Sequence, residues 1–140
     1  MGVTLWSVKI ALGNPNNDLS FIGTLLIKTY LHRRFRVTNF DAAEKPQGAP
    51  GIDVECRTTD GKTIIGELKT TKPYQPEFGA AQRTSILKDL TRLVNTPADY
   101  RFMFVIDPDA FLAFCNKNFA AKAIGVEIID LLTGKNFMCV

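Results

Sequence analysis

The sequence predicts an α/β fold, a mixed central sheet flanked by helices, with its core elements in the order αβββαβ. Three observations predict it. Two stretches of period-two alternation, 52–57 and 63–69, flank an Asp60-Gly61 turn signal. A continuous apolar run over 101–106 lies between Asp99-Tyr100 and Asp107-Pro108, the pattern of a strand buried on both faces. Two stretches of helical periodicity, one before the hairpin and one after it, supply the flanking helices.

Each element has its own local reason. Asn16-Asn17-Asp18 offers a helix N-cap with an acid in the first turn. The helix runs to about Arg34, with Leu19, Ile22, Leu26 and Tyr30 as its apolar stripe. Phe35 and Val37 alternate with Arg36 and Thr38, which predicts a strand over 35–40. Pro46 and Gly48 make 41–49 a loop, and Pro73, Pro76 and Gly79 do the same for 71–79. A second helix spans 80–95, with Ile86, Leu87, Leu90, Leu93 and Val94 inward. After the buried strand come a short helical stretch near 109–114 and a terminal hairpin around Thr133-Gly134. Val126 to Ile128 and Phe137 to Cys139 would be its strands.

The central hairpin carries the chemistry. Ile52, Val54 and Cys56 alternate with Asp53, Glu55 and Arg57; Ile64, Gly66 and Leu68 alternate with Ile65, Glu67 and Lys69. A two-residue Asp60-Gly61 turn would pair Asp53 with Leu68 and bury the acid. A three-residue loop, Thr59-Asp60-Gly61 with Gly61 left-handed, pairs Thr58 with Lys62, Asp53 with Glu67 and Glu55 with Ile65. This second register is preferred because it separates charge from hydrocarbon on both strands at once. It sets two carboxylates opposite each other at a Cβ spacing of roughly 5 Å. Opposed acids require a cation between them, and Lys69 serves only in part. A divalent metal ion with an ammonium beside it is the equipment for phosphodiester hydrolysis.

Asp53, followed by Glu67-Leu68-Lys69 one strand later, resembles the signature of the PD-(D/E)xK nuclease superfamily, the restriction-endonuclease-like fold. The αβββαβ order around the signature matches that family's core and covers most of the chain. Pro50 stands three residues before Asp53 rather than next to it. The resemblance implies a Mg²⁺-dependent DNA endonuclease, with Mn²⁺ as a substitute, most like the catalytic domain of a type II restriction enzyme. It implies that Asp53, Glu67 and the Leu68 carbonyl hold the metal, and that Lys69 orients the attacking water and stabilises the transition state. Glu55 is a further candidate ligand, with Asp18 and Glu44 behind it. Gln82 and Arg83, in the first turn of the second helix, and Lys72, Lys88 and Arg92 are the candidates for contacting DNA. A homodimer is expected if both strands are cut. A structure-specific nuclease such as a Holliday-junction resolvase, or a repair nuclease, is the alternative within the same fold. A non-catalytic nucleic-acid-binding module is the alternative outside catalysis.

Composition bounds these readings. The chain has 140 residues, 46% hydrophobic and 22% charged, which suits one globular domain. That domain, 1–140, is either a whole nuclease or the catalytic domain of a longer enzyme. A net charge of +3 is a weak argument for nucleic acid on its own. Lys28, His32, Arg33, Arg34 and Arg36 crowd the end of the first helix, where cations also suit the helix dipole. His32 is the only histidine and faces away from the apolar stripe, which argues against a histidine triad or a zinc site. No apolar run is long enough to span a membrane, and no signal peptide is expected at the start. Cys56, Cys115 and Cys139 lack metal-ligand spacing and read as reduced thiols of a cytoplasmic protein.

Overall fold

The computed structural model describes residues 15–35, 37–40, 52–73 and 79–138. The expected loop over 41–49, with Glu44 and Pro46, lies outside them, as do Arg36, Pro50 and Cys139. Helix α1 spans Pro15–Arg34, and the strands that follow are β1 (Val37–Phe40), β2 (Val54–Thr58) and β3 (Thr63–Lys69). Helix α2 (Ala80–Asn95) leads to β4 (Tyr100–Val105). Two short helices, α3 (Pro108–Phe114) and α4 (Lys117–Ala120), precede β5 (Glu127–Asp130) and β6 (Asn136–Met138). The fold is α/β, a mixed sheet flanked by helices.

The six strands lie side by side in chain order. The β1–β2 and β2–β3 pairs are antiparallel, β3–β4 and β4–β5 are parallel, and β5–β6 is antiparallel. Parallel neighbours need a crossover, and both crossovers step in the same direction along the sheet. Crossovers of one hand stepping one way leave their helices on one face. Ile86, Leu90 and Leu93 of α2 accordingly share a core with Ala110, Phe111 and Phe114 of α3, over Ile65, Met103, Val105 and Ile128. Helix α1 covers the other face, with Ile27 and Leu31 packed against Val54, Cys56, Ile64, Phe102, Phe104 and Ile129. Strand β4 therefore turns Phe102 and Phe104 to α1 and Met103 and Val105 to α2, which is why its sequence is apolar throughout.

Several elements differ in detail from expectation. The buried stripe of α1 is not Leu19, Ile22, Leu26 and Tyr30: Leu19 and Ile22 are exposed, while Ile27 and Leu31 are buried. Gly23 sets this rotation. A Cβ there would sit 2.7 Å from Leu68 Cδ2, so the missing side chain lets α1 lie down on β3 along the row Gly23, Ile27, Leu31. Val94, expected inward on α2, is exposed, because Ile86, Leu90 and Leu93 already fill that face. The terminal hairpin pairs Ile128 with Phe137, as its turn implies, but its strands are displaced to Glu127–Asp130 and Asn136–Met138. Helix α4 was not foreseen. No helix among the described residues is long and apolar enough to cross a membrane.

Candidate active site

The β2–β3 hairpin closes through Thr59, Asp60 and Gly61. The Thr58 N–H donates to the Lys62 carbonyl at 2.9 Å and the Gly61 N–H to the Thr58 carbonyl at 3.1 Å. Gly61 has φ +87°, the left-handed value that glycine adopts without strain. The Thr58 hydroxyl donates to Asp60 and accepts the Lys62 N–H, which fixes the loop from inside. From this turn the register runs Arg57–Thr63, Cys56–Ile64, Glu55–Ile65 and Val54–Gly66. One step further sets Asp53 opposite Glu67, the pairing expected from charge segregation.

Asp53 is exposed at the head of β2, and its Oδ2 accepts the Leu68 N–H at 3.0 Å. That bond turns the carboxylate onto the strand carrying the second acid. Glu67 is only 2% exposed, because α2 covers its face of β3. Burial pushes its carboxyl up to about 8, and a hydrogen bond with Asp53 and that residue's charge add to the shift. Lys69 and Arg92 pull the other way without prevailing. A divalent cation would favour the ionised Glu67 against this upward push, since metals bind carboxylates without their proton.

Lys69 ends β3 on the same face, its side chain 17% exposed. Burial lowers the pKa of its ammonium, against which Glu67 and Asp53 act, the former more. Its ion-pair partner is Asp89 on α2, 16% exposed at the side chain. Arg92, one turn on, lies 3.3 Å from Glu67 and 3.6 Å from Asp89. Asp89 is not among the candidates singled out from the sequence. Its spacing from Ile86 and Leu93 was the available signal, for it places an acid beside the apolar stripe of the helix that must cover the motif.

The structure gathers Asp53, Glu67, Lys69 and Arg92, and adds Asp89. Glu44 lies outside the described residues, and the candidates Glu55, Gln82, Arg83, Lys72 and Lys88 make other contacts. Glu55 is exposed opposite Ile65, two pairs nearer the turn. Gln82 closes the start of α2: its Oε1 accepts the Gly79 N–H at 3.2 Å and its Nε2 donates to the Lys72 carbonyl at 2.9 Å. The Arg83 guanidinium stacks 5.6 Å from the Phe119 ring centre. Lys72 is exposed and reaches Asp109 at 3.5 Å and Asp107 at 3.8 Å, while Lys88 is exposed on α2. Among the described residues no three or more His, Cys, Asp and Glu side chains are grouped to hold a metal ion. Asp53 and Glu67 are the carboxylate donors at hand, and the Leu68 N–H bond to Asp53 sets that peptide beside them. No family model, no curated protein and no solved structure matches this chain.

Proposed function

We propose that this chain is a Mg²⁺-dependent DNA endonuclease of the PD-(D/E)xK type, on a restriction-endonuclease-like fold. One observation carries the reading: a buried glutamate, Glu67, paired across the sheet with Asp53 and followed on its own face by Lys69. Burying a carboxyl against a second one is costly, and a fold has no structural need of it. Titratable groups displaced this far cluster at functional sites.

The donor set fits a hard divalent cation. Two carboxylates and a backbone carbonyl are all oxygen, and Mg²⁺ accepts one or two carboxylates while keeping waters. When bound, the metal would offset charge on the scissile phosphate and lower the pKa of a water. Asp53 is held on the strand by the Leu68 N–H, so the distance between the acids follows from backbone register. Lys69 presents its ammonium to the attacking water and to the charge that develops on phosphorus. Lys72 and Lys88 lie exposed where a phosphate backbone can replace solvent, and Arg92 stands at the rim of the acids. Cutting both strands needs two centres, hence a homodimer. The free thiols of Cys56 and Cys115 suit a cytoplasmic enzyme.

Supercoiled plasmid tests the reading. Cleavage is expected with Mg²⁺ or Mn²⁺ and not with Ca²⁺, which binds with looser geometry. Discrete fragments point to restriction, and cleavage of branched DNA alone points to a resolvase. Undiminished cutting in excess EDTA would refute metal dependence. Salt-sensitive DNA binding with no cleavage of any substrate leaves a binding module in place of an enzyme.

A further inference from the structure

The charges on the α2 side of β3 are not paired one to one. Lys69 Nζ contacts Asp89 Oδ2. It does not take as its ion-pair partner Glu67, two residues back on its own strand. Arg92 is divided, with Nη1 at 3.3 Å from Glu67 Oε1 and Nη2 at 3.6 Å from Asp89 Oδ1. Asp89 thus meets one cation from across the sheet and another from the next turn of its own helix. Both Asp89 and Lys69 are largely enclosed, so these contacts are weakly screened by solvent.

A carboxylate that already holds a guanidinium or an ammonium is a poor metal ligand, because both cations compete for the same lone pairs. Without Asp89, Lys69 would still feel Glu67 and Asp53, and Arg92 would still meet Glu67. We propose that Asp89 is a positioning residue: it seats Lys69 and offers Arg92 a place away from Glu67, and so keeps the Asp53–Glu67 pair open to a divalent cation. This rests on the metal-site reading above. On metal entry Arg92 would give up Glu67 and keep Asp89. Asp89 touches neither metal nor substrate and acts through the two cations.

Mn²⁺ titration by calorimetry, without DNA and at fixed pH and salt, tests the inference. Asp89→Asn should weaken Mn²⁺ binding on the order of 10-fold, as loss of a residue supporting metal ligands does. Asp89→Glu, which keeps the charge, should restore most of the affinity. Arg92→Ala should bind Mn²⁺ more tightly than the parent. The decisive arm is a cycle. In a Lys69→Ala, Arg92→Ala background there is no cation left to seat, and Asp89→Asn should then have no effect. An equal penalty in that background would reduce Asp89 to a distant negative charge and overturn the proposal. So would parental affinity in Asp89→Asn. If Asp89→Asn does not fold, Arg92→Ala alone decides, and unchanged or weaker Mn²⁺ binding sinks the idea. Absence of Mn²⁺ binding in both the parent and Arg92→Ala would instead bring down the metal-site reading, and this inference with it.

Discussion

In the proposed nuclease Lys69 and Asp53 separate turnover from binding. Lys69 would act mainly on groups whose charge develops in the transition state, so Lys69→Ala should lower single-turnover cleavage on the order of 10²–10³-fold. DNA and Mn²⁺ binding should stay close to parental. Asp53→Asn should lose Mn²⁺ affinity together with cleavage. Single-turnover rates beside binding titrations at one salt concentration check both, and a Lys69→Ala enzyme cutting at the parental rate would remove the catalytic role. At this scale Asp53, Glu67 and Lys69 could be read from the sequence because a strand period of two places alternate residues on one face. Asp89 could not be read from periodicity alone. An acid next to an apolar stripe is inside or outside according to what the facing strand presents, and here that strand presents an ammonium.

The hairpin was legible as an element because glycine at position 61 admits one loop geometry far more readily than its neighbours, and loop length sets register. The α1 stripe was not legible for the same kind of reason turned round. Gly23 contributes nothing to a hydropathy pattern, yet its missing side chain decides which row of the helix touches Leu68. Gly66 plays this part inside β3. A Cβ there would lie 2.9 Å from the Phe104 ring and 3.2 Å from the Phe102 carbonyl, and the carbonyl is backbone that cannot swing aside. Gly66→Val should therefore cost about 1–3 kcal/mol, the usual penalty for overfilling a packed core. It should appear as a lower urea midpoint with an unchanged slope. A parental midpoint would show that β3 and β4 pack less closely than these distances say.

Across the whole molecule, one polar contact ties the far edge of the sheet to α1. Arg34 Nη1 and Nη2 donate to Glu127 at 2.5 and 2.9 Å, and Asn136 of β6 adds a bond at 2.9 Å. Burial raises the Glu127 pKa, but the Arg34 and Asn136 hydrogen bonds and the guanidinium charge outweigh it, so the carboxyl titrates below its ordinary value of 4.5. A carboxyl depressed on folding stabilises the native state above its unfolded pKa, and that stability fades as pH falls through the folded value. Arg34→Met should thus cost about 3 kcal/mol at pH 7, the scale of stranding a buried charge. The difference from parent should shrink as pH falls from 7 toward 3 and Glu127 takes up its proton. Urea melts at the two pH values check this, and an equal deficit at both would show that Arg34 contributes packing alone. Nothing in the sequence announced the pair. Its members are 93 residues apart, and neither belongs to a repeating pattern. The parallel centre of the sheet was legible from the apolar run that became β4, since only a strand covered on both faces has that composition.

The proposed site is central in space but short in sequence. Every charged group assigned to it falls between Asp53 and Arg92, joined by one hairpin and most of one crossover. Closing short loops costs little chain entropy, so these groups meet without waiting for the distant ends of the polypeptide. Helix α1 and strands β5 and β6 serve the site as walls, and none of the charges assigned to it comes from them. The loops that join them can be lengthened or decorated while the proposed chemistry stays whole. On the proposed function, choice among nucleic acids would be free to diversify at the periphery, under selection separate from that on the step of cleavage.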